Sequence, residues 1–320
     1  MSALGITGAV VGGALLVCGA ASFAGAVKLF NSVIPRQDKL RVDMKEMADD
    51  QTWEEYRKII TPAKEWLMEQ PLEHINIEAR DGIKLSGHYL ASENPGRKLV
   101  ICLHGYTSNG LSNFCAAAQY YQNMGFDMLI TDHRAHGQSE GDYAGFGILD
   151  RFDCLKWIEY AVKRFGSDIE ILLHGISMGA STALMTLGFN ELPANVKGAV
   201  ADCAFTSPYD VFAHVVKRDY KLQPFPIMNF SDMLCKKKAG YKFRDYSTLD
   251  ALSKTDRPVL LIHGDKDNFV PVWMTEKNFE VCASPKEKLL VKNAGHGASY
   301  YENKEEYENA VTAFIEKWFA

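Results

Sequence analysis

Ile169-Glu170-Ile171-Leu172-Leu173-His174-Gly175-Ile176-Ser177-Met178-Gly179 runs an apolar stretch of strand character straight into a Gly-x-Ser-x-Gly turn. A helix-forming segment, Ala180 to Gly188, follows at once. Strand, tight turn and helix together are the sequence form of a nucleophile elbow. The serine sits on a strained turn, and the flanking glycines remove side chains where two backbones pass closely. Ser177 is therefore the candidate nucleophile. Around this turn, strand and helix patterns alternate. A strand from Leu99, Ser112–Asn123 as helix, Phe126–Thr131 as strand, Arg151–Arg164 as helix and Ser181–Phe189 after the elbow predict parallel βαβ units. Leu72–Ala79 and Ile83–Leu90, joined at Asp81-Gly82, read as a hairpin opening the sheet. The fold class is α/β, with a mostly parallel central sheet and helices on both faces.

Chain order narrows the partners of Ser177, because in a site of this kind the acid and then the histidine follow the serine. Only His214, His263 and His296 lie after it. His214 falls in an inserted segment, and His263 ends a strand with little room upstream for an acid. His296, in Asn293-Ala294-Gly295-His296-Gly297, follows the last predicted strand (Lys288 to Lys292) and precedes the last helix. Glycines on both sides free that loop to carry the imidazole over the sheet edge, so His296 is the expected base. Pro258 to Pro271 reads as a buried strand, a tight turn and a helix start at the proline. Asp267, in the turn, is the expected orienting acid. Asp265 fits a local turn hydrogen bond better. Asp202, ending the preceding strand (Val196 to Ala201), is the other workable address.

The negative charge of a tetrahedral intermediate requires two backbone N–H donors. Met178, next to the serine, is expected to supply one. Tyr106, after the buried strand Lys98-Leu-Val-Ile-Cys-Leu-His104-Gly105, is expected to supply the other.

The His-Gly-Tyr loop, Asp132-His-Arg-Ala-His-Gly137-Gln-Ser-Glu-Gly141, Gly-Ile-Ser177-Met-Gly, His-Gly-Asp-Lys-Asp267-Asn-Phe-Val-Pro and Gly-His296-Gly stand in one order along the chain. Over about Leu72 to Ala320 this order resembles the α/β-hydrolase superfamily, nearest the Bem46-like and monoglyceride-lipase-like serine hydrolases of the serine aminopeptidase type. The resemblance implies the same roles for Ser177, Asp267, His296, Tyr106 and Met178. It also makes the Asp132–Gly141 loop structural, against a reading of His133 and His136 as metal ligands. The His-Gly-Tyr form departs from the Gly-Gly-Gly-x loop that suits bulky tertiary alcohol esters.

With 320 residues, 47% hydrophobic and 23% charged, the chain fits a globular enzyme with an extension and excludes disordered and fibrous classes. Seven scattered cysteines with no C-x-x-C spacing read as buried thiols. Three parts are expected: an N-terminal segment over 1–34, a helical connector over 35–71 and the hydrolase domain over 72–320. Ala3 to Val27 carries no charge and is long enough to span a bilayer. Basic residues beyond it predict a membrane anchor with the catalytic domain on the cytoplasmic side; a cleaved signal and secretion is the competing reading. From Asp38 to Glu69 a helical pattern is expected to break at Thr61-Pro62.

Cys203 to Asp256 interrupts the alternation as a lid, residues 203–256. Between Lys217 and Arg244 it holds eight Lys or Arg against two Asp, although the whole chain is −5. That charge suits either a solvated face or contact with anionic headgroups or an acidic substrate. The expected activity is cleavage of carboxylic esters with apolar or lipid-like acyl groups, through an acyl-enzyme. Peptidase, thioesterase and acyltransferase chemistry would use the same residues. The expected partners are a small-molecule ester and a membrane, with no nucleic acid, metal or cofactor.

Overall fold

A computed structural model describes residues 19–37, 50–93 and 97–319. Its centre is an eight-stranded sheet: β1 (Glu73–Glu78), β2 (Lys84–Leu90), β3 (Lys98–Leu103), β4 (Asp127–Thr131), β5 (Glu170–Ile176), β6 (Val196–Asp202), β7 (Val259–Gly264) and β8 (Lys286–Val291). The spatial order is β1-β2-β4-β3-β5-β6-β7-β8. From β4 to β8 all neighbours pair in parallel. The first two strands form the expected antiparallel hairpin and join β4 antiparallel.

The sequence explains this arrangement. β4 and β7 are buried at every position, and β3 at all but its first. Apolar runs without alternation suit only strands covered on both faces. Edge strand β8, Lys286-Glu-Lys-Leu-Leu-Val291, opens with three charged residues and is buried only at its last position.

Helices α2 (Asp50–Glu69), α3 (Gly110–Asn123), α4 (Asp150–Phe165), α5 (Met178–Thr186), α6 (Pro208–Tyr220), α7 (Pro224–Ala239), α8 (Thr248–Leu252), α9 (Trp273–Val281), α10 (Ser299–Glu302) and α11 (Lys304–Trp318) cover the sheet. An earlier helix, α1, occupies residues 19–33. One sheet face packs Ile101, Leu173 and Leu261 against Trp157 and Ile158 of α4 and Leu184 of α5. The other packs Val100, Leu172 and Ile262 against Phe114 and Tyr121 of α3 and Phe314 of α11.

Two expectations about the chain before the sheet need correcting. No break occurs at Thr61-Pro62: α2 continues through Pro62. An internal proline costs about 3 kcal/mol. Here Leu67 is fully buried, and Ile59, Ile60, Ala63 and Trp66 pack on the second core around the proline. Burying those side chains offsets the lost bond at about 1.5–3 kcal/mol for a large one.

The predicted membrane anchor is contradicted as well. Among the described residues, no helix is long and apolar enough to cross a membrane. Residues 3–18 of the uncharged stretch lie outside the described residues. Its remainder starts α1, whose Ala26, Leu29 and Phe30, with Ile34 just beyond, are buried at helical spacing. These side chains pack on protein, forming a third core with Phe146, Met228, Tyr241 and Phe243. The cytoplasmic assignment rested on the anchor and falls with it.

Between β6 and β7 the chain forms α6, α7 and α8. Ser207 caps α6 by accepting from Asp210 N, and Pro208 opens it, a favourable start for a helix. Lys236, Lys237 and Lys238 end α7 as an exposed basic turn, favoured at the negative end of the helix dipole.

Phe30 is 2% exposed, whereas Ser32, on the opposite side of α1, is exposed. Phe30→Ala is expected to lower unfolding stability by about 3 kcal/mol, and Ser32→Ala to stay within about 0.5 kcal/mol. Urea unfolding curves of the full chain check both values.

Candidate active site

Ser177 lies between β5 and α5 with φ 54° and ψ −111°. For a residue with a Cβ this left-handed φ costs of order 1–3 kcal/mol and persists only where the surroundings enforce it. They do. A Cβ on Gly175 would overlap the Gly179 carbonyl, and a Cβ on Gly179 would overlap the Leu103 carbonyl. Ser177 N also donates to Asp202 O at 2.8 Å. A serine at a helix start usually caps the helix with its own oxygen. Ser177 makes no such cap bond, and its Oγ is left to face outward from the turn.

That oxygen meets His296. Its Oγ is 2.9 Å from His296 Nε2, and His296 Nδ1 is 2.7 Å from Asp267 Oδ2. An ionised carboxylate only accepts, so Nδ1 carries the hydrogen and Nε2 of the neutral ring accepts from the serine. Asp267 is itself saturated with donors. Its Oδ1 accepts from Phe269 N and Val270 N, both at 2.9 Å. His263 Nε2 stands 3.2 Å from Oδ2. Burial works against the Asp267 charge, but the positive field of His296 and hydrogen bonds from His263 and His296 outweigh it. The carboxyl is held well below its usual range. Burial likewise disfavours a charged His296, and the Asp267 carboxylate overcomes this, raising the imidazole well above its ordinary value. Ser177 is 8% exposed and the His296 side chain 14%, so the group is sheltered but not sealed.

Asp202 is not bonded to His296: its Oδ1 accepts from Ser299 Oγ at 2.9 Å, and burial pushes its carboxyl up to about 6. Met178 opens α5, where a backbone N–H has no acceptor within the helix. The His104–Tyr106 loop lies alongside the elbow. A Cβ on Gly105 would sit 3.6 Å from Ser177 Cβ and 3.5 Å from Ile176 O. Met178 thus follows the serine directly, and Gly105, next to Tyr106, approaches it from the other loop.

His263 was set aside in the sequence as a strand end. It lies beneath the carboxylate, with Nε2 also 2.7 Å from Val270 O and Nδ1 2.7 Å from Thr275 Oγ1. Its position four residues before Asp267 across a turn is the only sequence signal of that contact.

The Asp132–Gly141 loop serves structure. Asp132 accepts from Gly110 N and Gln138 N, and Arg134 makes two 2.6 Å bonds to Asp153. The buried His104 ring packs edge-to-face with His133 and with His136. Among the described residues, the grouping of three metal-type ligands is Cys203, Asp267 and His296, within 4.8 Å of one another. Asp267 and His296 already bond each other, and burial pushes the Cys203 thiol up to about 11.

The family model described as the prolyl oligopeptidase family matches residues 112–320. The chain belongs to that family. It is 31% identical over 235 residues to the uncharacterized protein YqkD of Bacillus subtilis, covering 73% of this chain and 76% of the relative. It is 25% identical over 237 residues to protein Bem46 of Schizosaccharomyces pombe, covering 73% and 72%. Among solved structures, the esterase Pf2001 of Pyrococcus furiosus matches with a TM-score of 0.65 at 24% identity, covering 80% of this chain and 94% of that one. That likeness shows the fold. Family and fold together make the chain an α/β-hydrolase superfamily serine hydrolase, as its motif order had implied.

Since Asp267 stabilises the imidazolium, His296 is expected to remain protonated to a higher pH than a free imidazole, about 6.5. Asp267→Asn removes the charge and leaves burial unopposed, so the midpoint should move acidward. Histidine NMR titrations of both proteins check the sign.

Proposed function

We propose that this hydrolase cleaves carboxylic esters with apolar acyl groups through Ser177, His296 and Asp267. The observation that carries the proposal is the hydrogen-bonded series Ser177 Oγ, His296 and Asp267, at 2.9 and 2.7 Å on a strained elbow. His296 Nε2 takes the serine proton as Oγ attacks the acyl carbon, and Asp267 stabilises the imidazolium so formed. The carbonyl oxygen becomes an oxyanion, held by the Tyr106 and Met178 amides. Collapse of the intermediate expels the alcohol oxygen, which leaves with the proton from His296. Water then attacks the acyl-serine, giving its proton to His296. The second intermediate releases the acid and returns that proton to Ser177.

Apolar surroundings support an apolar acyl group. Met178, Phe146, Phe205 and Phe212 belong to the third core, with Tyr106 packed at its edge. The Phe269 ring lies 4.9 Å from His296. The lid, 203–256, supplies Phe205 and Phe212 to this wall, and we assign it the shaping of the acyl site. Peptide cleavage is the second reading, favoured by the family match. A peptidase that grips a free amine needs an available carboxylate, yet Asp210 is bonded by Thr206 and Asp219 by Arg218.

Ser177→Ala is expected to abolish both turnover of p-nitrophenyl esters and labelling by a fluorophosphonate. Asp267→Asn should cut kcat by about 10³–10⁴-fold. Only the unprotonated imidazole accepts the serine proton, so kcat/KM should fall as pH drops through the raised His296 value. That acid limb should lie on the alkaline side of an ordinary imidazole. Assays with acetyl to palmitoyl esters beside aminoacyl and N-acyl peptide anilides test the substrate class. Serine-dependent turnover of the anilides alone would overturn the ester reading.

A further inference from the structure

The chain immediately after α1 is fastened to the 137–144 loop. Ala144 N donates to Ile34 O and Arg36 N to Asp142 O, both at 2.8 Å, around a Pro35–Tyr143 bridge. The Arg36 guanidinium donates to Ser139 O at 2.6 Å and Gly137 O at 2.7 Å. Ile34 is 1% exposed beneath this strap. Four hydrogen bonds to the 137–144 loop, two of them forming the bridge, make residues 34–36 a fixed abutment.

The Tyr106 side chain crosses from the His104–Tyr106 loop to the end of α1. Tyr106 Oη donates to Val33 O at 2.8 Å. Its ring is held sideways by Phe146, with centroids 4.9 Å apart, and by His136 at 5.7 Å. Tyr106 stands between Gly105, whose N–H is held by Asn113 Oδ1 at 2.7 Å, and Thr107, which takes a left-handed φ of 60°. A left-handed threonine persists only where its neighbours enforce it. The peptide bearing the Tyr106 N–H is therefore fixed at its N-terminal side by Asn113 and through its own side chain by Val33.

We infer that residues 33–36 are a positioning element of the active site, which aims the Tyr106 amide at the oxyanion through the Tyr106–Val33 hydrogen bond. The inference rests on the reading of Tyr106 N–H as an oxyanion donor. An oxyanion donor acts by being preorganised, so a small rotation of its peptide reduces the rate while leaving substrate binding nearly intact. On this view the segment before the sheet is part of the catalytic unit.

The test uses the full chain, with an alkyl fluorophosphonate as the probe of Ser177. Tyr106→Phe deletes the hydroxyl and keeps the ring on Phe146 and His136. Labelling is expected to slow by roughly 10-fold, less than the 10²–10³-fold of losing a donor outright. On a p-nitrophenyl ester the loss should fall in kcat, with KM and the acid limb of the pH profile unmoved. Arg36→Ala loosens the abutment and should slow labelling in the same way; Arg36→Lys should recover part of the rate. The double variant should be no slower than the slower single one, because both act through one strap. Wild-type labelling rates in Tyr106→Phe would overturn the inference alone. A slowed Tyr106→Phe with a displaced acid limb would overturn it too, since the triad would then have moved. No labelling of the unmodified protein would overturn the hydrolase reading and this inference with it.

Discussion

The turn at Ser177 is held in a backbone conformation that its own side chain disfavours, and the rest of the site is built around that constraint. Gly179 presses on the Leu103 carbonyl and Gly175 on Gly179, so β5, α5 and the end of β3 meet with no space for a methyl group. With φ at 54°, Ser177 makes no cap bond to its own helix. Its hydroxyl is left to a histidine from 119 residues further along the chain. The strain of about 1–3 kcal/mol is borne by a centre buried on both sheet faces.

Charge in the site is arranged as tightly as the backbone. Asp267 is 5% exposed and ionised, which is tolerable only because two backbone amides and two histidines meet its oxygens. A buried carboxylate lacking such donors would take up a proton. Asp202, one strand away, shows the contrast. With a hydroxyl from Ser299 as its side-chain partner, its carboxyl is pushed up to about 6 by burial. Two carboxylates at neighbouring strand ends thus acquire different characters from the donors around them.

The third core joins parts that are distant in sequence. Phe30 from α1, Phe146 from the loop before α4, Met178 from the elbow and Phe212 from α6 form one apolar cluster. Lys238 lies over the Phe30 ring at 5.4 Å and Lys28 over Tyr220 at 5.7 Å, so basic side chains border the same junction. One apolar cluster is consequently shared between the N-terminal helix and the segment that joins β6 to β7.

The sequence by itself determined the elbow, the parallel alternation, the opening hairpin and the order in which Ser177, Asp267 and His296 occur. These are local matters: unbroken apolar runs need two-sided burial, and a Gly-x-Ser-x-Gly turn needs glycines where backbones touch. Tertiary structure decided what depends on distance. It brought Asp267 rather than Asp202 to His296, because the turn after β7 points one carboxylate at the ring while Ser299 occupies the other. It placed His263 under Asp267, a contact that a strand end does not announce. It carried α2 through Pro62, where burial outweighed a local penalty. An apolar stretch near the N-terminus reads as a bilayer span when hydropathy alone is counted. Hydropathy measures aversion to water and does not say what replaces the water; for Ala26, at the end of that stretch, and for Leu29, Phe30 and Ile34 beyond it, the replacement is the third core.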